Sequence, residues 1–332
     1  MAIERPYLLF LGDAPDDLAA KTARGIADWR PDWCIGQHRL DGCQTTLGLD
    51  DVGLEAAVAK GAKTLVVGVA NRGGVVPESW VEPLTRALSL GMDLASGLHQ
   101  RLSDLAPLAD AAARHGRRLI DVRIPDREFA VASGVRRPGK RLLPVGTDVS
   151  VGKMYTALAI EREMKARGMK ADFRATGQTG ILIAGEGVSV DAVVADFISG
   201  AAEWLSPDAD PDHWDVVEGQ GSLFHASYAG VSLGLLHGTQ PDALVLCHDA
   251  SRETMRGIPH QPVMPLADVM EINLANGRLT NPDVRFVGVC LNTSRLSEDE
   301  AHNLIEVTKQ ELGLPCVDPV RNGVAPIVDQ LV

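Results

Sequence analysis

The strongest chemical signal in the chain is the run Pro144-Val145-Gly146-Thr147-Asp148-Val149-Ser150-Val151-Gly152-Lys153-Met154. Gly146 and the pair Gly152-Lys153 have the G-x-x-x-x-G-K spacing of a phosphate-cradling loop. The glycines let the backbone turn until its N–H groups converge on an anion, and the lysine adds a positive charge. A helix beginning near Gly152 aims its positive dipole end at the same spot. Position 154 is Met, where nucleotide-hydrolysing loops carry Ser or Thr to hold Mg²⁺, and a thioether does not serve a hard cation that takes oxygen ligands. The run therefore reads as a pyrophosphate binder in which metal-dependent hydrolysis is not supported. The competing reading is a helix-capping turn with an exposed lysine.

Four further stretches pair an apolar strand with polar or glycine-rich residues directly behind it. They are Thr176-Gly177-Gln178-Thr179-Gly180, Glu218-Gly219-Gln220-Gly221-Ser222 with Phe224-His225 close behind, His248-Asp249-Ala250-Ser251-Arg252, and Asn292-Thr293-Ser294. In open parallel sheets ligands sit beyond the carboxyl ends of the strands. Together with the phosphate loop, these stretches outline one site, although ordinary turns also use Gly, Asn and Ser.

The elements that must position these residues follow from periodicity. From Arg141 onward the expected strands are Leu142–Val145, Ala171–Ala175, Trp214–Glu218, Ala243–His248, Arg285–Leu291 and Cys316–Pro319. The expected helices are Lys153–Arg167, Val190–Leu205, Leu266–Ala275 and Glu298–Leu312. In the first 125 residues, strands at Tyr7–Gly12, Trp33–Gly36, Thr64–Ala70, Asp93–Ser96 and Arg118–Val122 alternate with helices at Asp16–Trp29, Asp51–Lys60, Glu78–Leu90 and Ser103–His115. Asp16 and Ser103 suit N-caps, and Gly61, Gly91 and Gly116 stand where helices stop. Alternating β and α segments with near-continuous apolar strands imply parallel sheets covered on both faces. The fold expected is α/β: a Rossmann-like parallel-sheet domain over residues 1–124, a linker over 125–140, and a P-loop NTPase-like parallel domain over 141–332. Leu11-Gly12-Asp13-Ala14-Pro15 is not the dinucleotide fingerprint. In the linker, Arg136, Arg137 and Lys140 read as a solvated basic run, with a minority reading that brings Arg136 or Lys140 to a ligand phosphate.

Composition narrows the classes. The chain has 332 residues, 45% of them apolar, and a net charge of −12. No basic block is present to neutralise nucleic-acid phosphates, and an acidic ligand needs local arginines or amides. The start lacks the features of a secretory signal, and apolar runs such as Thr64–Ala70 are too short to span a bilayer. Cys34, Cys43, Cys247, Cys290 and Cys316 form no CxxC pair and read as reduced thiols of a cytoplasmic protein rather than a zinc site. The expected partners are small molecules, with no nucleic acid and no membrane, and a homo-oligomer is a fair expectation for such an enzyme.

The phosphate loop together with Val216-Val217-Glu218-Gly219-Gln220-Gly221 resembles dethiobiotin-synthetase-type proteins, with Met154 and Gln220 departing from that pattern. Taken over nearly its full length, the chain is more similar to the DgcN-like D-glutamate N-acetyltransferase family, long carried as a domain of unknown function. That resemblance rests on Asn71-Arg72-Gly73-Gly74, Ser96-Gly97-Leu98-His99, Lys153-Met154, Thr176–Gly180 and Glu218–Leu223. It implies acetyl transfer from acetyl-CoA to the amino group of D-glutamate, with the glycine loop gripping the coenzyme A pyrophosphate.

Acyl transfer to an amine needs a base, a donor for the thioester oxyanion, and positive groups for the substrate carboxylates. Glu218 is the first choice of base and His225 the second. The alternatives are a structural acid for Glu218, capping glycine-loop amides or pairing with Lys153, and a satisfied pocket wall for His225. The amides of Gly221 and Ser222 are candidate oxyanion donors. Arg72, Arg174 and Arg252 are candidates for the carboxylates, because a guanidinium meets a carboxylate bidentately. Gln178, Gln220 and Asn292 complete the substrate set, with Asn71 and His99 as further strand-end residues. The cofactor-binding residues are Gly146, Thr147, Asp148, Val149, Ser150, Val151, Gly152, Lys153 and Met154. No metal is expected. Mg²⁺ enters only in the alternative of an ATP-dependent ligase or kinase, where Asp148, Asp196 or Glu218 would hold it. A nucleotide-sensing protein without turnover is a third reading.

Overall fold

The computed structural model describes residues 2–71 and 73–332. They divide into two compact units, one comprising the chain up to Asp126 with Gly177–Ser189, the other Arg127–Thr176 with Val190–Val332.

In the first unit the apolar runs become β1 (Tyr7–Gly12), β2 (Cys34–Arg39), β3 (Thr64–Val67), β4 (Asp93–Ser96) and β5 (Leu119–Asp121). Between them lie α1 (Lys21–Trp29), α2 (Leu54–Ala59), α3 (Glu78–Ser89) and α4 (Ala106–His115). The strands form one parallel sheet in the order β2-β1-β3-β4-β5. This is a doubly wound order whose direction reverses between β1 and β3. β1, β3 and β4 are buried along their whole length, which is why they read as unbroken apolar segments. Phe10, Leu65, Trp80, Leu84, Leu88 and Leu94 belong to its core.

The second unit begins with β6 (Lys140–Gly146), α5 (Lys153–Ala166) and β7 (Ala171–Arg174). Next comes α6 (Gln178–Ala184), within the segment that groups with the first unit. The chain continues through α7 (Ile198–Leu205), β8 (Trp214–Val217), α8 (Ala229–Thr239) and β9 (Ala243–Asp249). It then forms a hairpin of β10 (Thr254–Met255) and β11 (Ile258–Pro262). Last are α9 (Leu266–Gly277), β12 (Arg285–Asn292), α10 (Glu298–Leu312), β13 (Cys316–Val317) and α11 (Ala325–Val328). Six strands form a parallel sheet in the order β13-β12-β9-β6-β8-β7, and β10 and β11 pair antiparallel. From β6 the chain runs first to the β7–β8 side and then to the β9–β12 side. The reversal falls at β6, where doubly wound sheets hold ligands. Among the described residues no helix is long and apolar enough to cross a membrane.

Several boundaries differ from expectation, each for a local reason. The helix expected over Val190–Leu205 is two short 3₁₀ turns followed by α7; Val194 takes ψ 137° between those turns, and β-branched Val193 and Val194 resist helix. α1 begins at Lys21, and Asp16 instead accepts from the Ala19 N–H at 2.8 Å in the preceding turn. Ser103 lies in a 3₁₀ turn, and α4 starts at Ala106 with proline in its first turn. Three helices appear where none was expected, one of them the single turn of α11. α6 occupies the end of the Thr176–Gly180 stretch, and α8 is glycine-rich. In α8, a Cβ at Gly234 would meet Ile198 Cγ2 at 2.7 Å and one at Gly238 would meet Ser199 O at 2.2 Å. Those glycines let α7 approach closely. The minority reading of the basic linker is overturned: Arg136 pairs with Asp242 at 3.0 Å, and Lys140 opens β6 at the end opposite the phosphate loop, over the Trp214 ring.

Candidate functional site

The G-x-x-x-x-G-K run forms the turn between β6 and α5, with Gly152 in the left-handed region at φ 102° as the residue before the helix. Lys153, the first residue of α5, is 7% exposed and lies back across its own loop. Its Nζ donates to the Asp148 carbonyl at 2.9 Å and stands 3.0 Å from where a Cβ on Gly146 would be. Burial lowers the lysine's pKa to about 8, against the opposing pull of Cys247, Asp148 and Glu218. The ammonium thus has one loop carbonyl as its hydrogen-bond partner and a strong electrostatic demand for an anion. Met154 is half-buried beside it. The Thr156 hydroxyl, two positions further along the helix, accepts from the Cys247 thiol at 3.4 Å inside the core.

Asp148 is fully buried and faces away from any ligand role. Its carboxylate accepts from Arg252 Nη1 at 2.8 Å, from the Arg256 N–H at 2.7 Å and from the Val149 N–H at 2.6 Å. Burial would raise this acid, but the Arg252 guanidinium and the two amides overcome it and hold the carboxyl below its usual range. Arg252 also donates to the Val149 carbonyl at 2.7 Å and to Asp249 at 3.1 Å. The arginine thus ties the phosphate loop to the segment after β9 and is not a free clamp for substrate. Thr147 completes the frame: its N–H donates to the Cys247 carbonyl at 3.1 Å and its hydroxyl pairs with His248 Nδ1 at 3.0 Å. Burial lowers the His248 pKa.

The stretch after β8 packs against the same loop. A Cβ on Gly219 would lie 1.8 Å from the Pro144 carbonyl and 3.0 Å from Lys153 Cδ, so only glycine fits. Ser222 Oγ donates to the carbonyls of Gly146 at 3.0 Å and Thr147 at 3.1 Å. The space left between this stretch and β6 is about 10 Å³, lined by Pro144, Gly219, Gln220, Ser222 and Asn273 among others. Glu218, 3% exposed, accepts from the Thr176 N–H at 2.9 Å, and the Thr176 hydroxyl donates to the Glu218 carbonyl at 2.6 Å. The carboxylate thus fastens the end of β7 to the end of β8. His225 has both ring nitrogens engaged: Nδ1 accepts from the Ser227 N–H at 3.2 Å, so Nε2 is the donor to the Arg256 carbonyl at 3.0 Å.

Around the carboxyl ends of β6, β8 and β9 the structure brings together Gly146–Met154, Glu218, Gln220–Ser222, His225 and Arg252. Asn292 ends β12 next to Asp249, where its carbonyl accepts from Ala250 and its side chain from the Ser294 N–H at 3.1 Å. Arg174 is committed elsewhere: its Nε donates at 2.7 Å to Asp215, 1% exposed in β8. Gln178 opens α6 in the first unit, where it packs on Gly97. In that unit Asn71 closes a turn with both its amide groups on Val75, and His99 is exposed. Arg72 lies outside the described residues. Of the acids required for a bound Mg²⁺, Asp148 is held by Arg252, and Asp196 is exposed in the turn before α7. Sequence reasoning placed His248 at the head of a site stretch without giving it a role, and did not mark Arg256 at all. The position of His248 at a strand end was a usable signal, whereas nothing local marks Arg256.

The fold and the loop define a two-domain phosphate-loop protein with a Rossmann-like partner domain. The chain belongs to the DUF1611 family: residues 38–125 match its N-terminal "Rossmann-like domain" and residues 129–328 its C-terminal "P-loop domain", both described as domains of unknown function. A D-glutamate N-acetyltransferase of Tritonibacter scottomollicae is 56% identical over 329 residues, covering 99% of each chain. Another, from a Pseudoalteromonas species, is 50% identical over 331 residues and covers all of both chains. The crystal structure of a DUF1611 family protein from Anabaena variabilis is 32% identical with a TM-score of 0.85, again over 99% of each chain. The chain is an enzyme of the acyltransferase class.

Proposed function

We propose that the protein transfers the acetyl group of acetyl-CoA to the amino group of D-glutamate, with the phosphate loop gripping the pyrophosphate of coenzyme A. The observation that carries the loop assignment is its anion-binding form without hydrolytic equipment. Lys153 is buried and held in the loop, the hydroxyl position is Met154, and the Asp148 carboxylate is taken by Arg252. Such a loop binds phosphate groups and leaves them intact. The substrate class comes from the two full-length relatives.

In the reaction the amine nitrogen attacks the thioester carbonyl, the C–S bond breaks, and the coenzyme leaves as a thiol. A base takes the ammonium proton before attack. Glu218 is close enough to Lys153 for its charge to favour the protonated lysine. It therefore stands at the pyrophosphate end of the ligand, and the pantetheine arm carries the thioester away from there. Its proposed role is to anchor Thr176 and balance Lys153; it serves as base only where the arm folds back over the loop. Gly221 and Ser222 as oxyanion donors share that condition. With Arg174 and Arg252 held by acids, the proposed contact to the amino acid within the second unit is Asn292, and Gln220 shares the condition of Gly221 and Ser222.

Calorimetric titration of the metal-free protein with acetyl-CoA and, separately, with ATP plus Mg²⁺ tests the reading. Micromolar acetyl-CoA binding lost in Lys153→Ala, together with acetylation of D-glutamate, is the expected result. Tight Mg²⁺-dependent ATP binding with no response to acetyl-CoA would sink it.

A further inference from the structure

The β10–β11 hairpin turns at Arg256-Gly257, between the paired residues Met255 and Ile258, with Gly257 at φ 79°. Its tip is fixed at three points. The Arg256 N–H donates to Asp148 of the phosphate loop at 2.7 Å, the Arg256 carbonyl accepts from His225 Nε2 at 3.0 Å, and Met255 is buried at 1% exposure. The Gln261 amide adds a bond to the Phe224 carbonyl at 2.8 Å. Arg256 is thus bolted by its main chain between the two loops that build the site. Its side chain is exposed, with no hydrogen bond or ion pair to any other described residue. An arginine on so fixed a pedestal, beside a phosphate loop in a protein of net charge −12, is placed to read an anion rather than to solubilise the surface.

We infer that Arg256 recognises the ribose 3′-phosphate of coenzyme A and makes the site selective for the phosphorylated coenzyme. This inference rests on the reading of the loop as the pyrophosphate grip. On that reading the 3′-phosphate, one ribose away from the pyrophosphate, is the ligand's remaining anion near the loop. The carboxylates of the amino-acid substrate belong to the thioester end, beyond the pantetheine arm. A guanidinium meets a phosphate with two parallel N–H donors, which an exposed, unpaired arginine can supply without breaking any existing bond.

The test titrates acetyl-CoA and 3′-dephospho-acetyl-CoA into the wild type, Arg256→Gln and Lys153→Ala, with KM measured for both substrates. The substitution at 256 leaves the main-chain bonds in place, so folding is not at issue. Wild type should bind acetyl-CoA at least about tenfold more tightly than the dephospho form, the scale of a charge-assisted hydrogen bond. Arg256→Gln should remove that preference by weakening acetyl-CoA alone, with the KM for D-glutamate unchanged. Equal wild-type affinity for the two coenzymes, both lost in Lys153→Ala, overturns the role of Arg256 while the loop reading stands. A raised KM for D-glutamate with coenzyme affinity intact also overturns it, by assigning the arginine to the amino acid. If Lys153→Ala leaves acetyl-CoA binding intact, the loop reading falls and this inference falls with it.

Discussion

Asp148 and Arg252 stand 2.8 Å apart although 104 residues separate them, and the aspartate is fully buried. The pair joins the phosphate loop to the segment after β9, and through the Arg256 amide on the same carboxylate it reaches the hairpin tip. An acid that sequence logic offers to a metal is here a strut that fixes the glycine loop.

Removing one partner of such a buried pair leaves the other uncompensated. Asp148→Asn should destabilise the protein by about 3 kcal/mol, at the low end for broken buried pairs because Arg252 keeps Asp249. It should also weaken acetyl-CoA binding, because the carboxylate holds the glycine loop in place through Arg252 and the Arg256 amide. Arg252→Met should do the same, and the double variant should cost clearly less than the two losses added together. Strict additivity in a thermal-melt cycle would show that the two residues act separately.

Lys153 carries a prediction with a sign. Its pKa falls from an ordinary 10.5 to about 8 through burial, so the folded state binds the proton less readily than the unfolded chain. A group depressed in this way costs stability in full below about pH 8, and the cost shrinks as pH rises toward 10.5. Lys153→Met should therefore raise stability by roughly 3 kcal/mol at pH 7 while abolishing acetyl-CoA binding. The gain should vanish above about pH 10.5. A melting temperature that drops at pH 7 on this substitution would contradict the assignment. In the wild type, acetyl-CoA binding near pH 8 to 9 should be accompanied by proton uptake, seen as a titration enthalpy that depends on the buffer.

Gly219 makes a steric prediction. A methyl group there would sit 1.8 Å from the Pro144 carbonyl, in the strand that delivers the phosphate loop. Gly219→Ala should cost several kcal/mol or yield insoluble protein, as overpacking against backbone does. Gly230→Ala is the control. Nothing lies within 4 Å of its added methyl in α8, so it should stabilise by about 0.5–1 kcal/mol. Equal behaviour of the two variants in urea melts would refute the close-packing account of the site.

What could be read from the sequence was whatever is encoded locally. β1 and β4 fall on Tyr7–Gly12 and Asp93–Ser96 because full burial leaves an uninterrupted apolar run. α10 starts where expected, with Ser297 and Glu300 forming a reciprocal capping box. The phosphate loop is legible for the same reason, since its glycines and lysine lie within eight residues of chain. α8 was not, because glycine is a poor helix former and the reason for Gly234 and Gly238 lies in α7 packed against them. Neither was the commitment of Arg174 to Asp215 or of Arg252 to Asp148, since ion pairs across a fold leave no local trace. Both residues, nominated for carboxylate binding, are engaged by acids of the chain itself.

His225 tests whether hydrogen bonding already settles a residue's role. Nδ1 accepts from the Ser227 amide and Nε2 donates to the Arg256 carbonyl, so both ring nitrogens are taken up by main-chain bonds. A base would need to give up the Ser227 bond. His225→Ala should therefore lower kcat by less than about tenfold, well below the 10²–10⁴-fold contribution of general acid–base catalysis. The pH dependence of kcat should stay unchanged. The loss should appear instead in the hairpin: amide hydrogen exchange across Thr254–Pro262 should quicken, and the KM for acetyl-CoA should rise as the Arg256 pedestal loosens. A hundredfold fall in kcat with unchanged exchange would return the histidine to the chemistry.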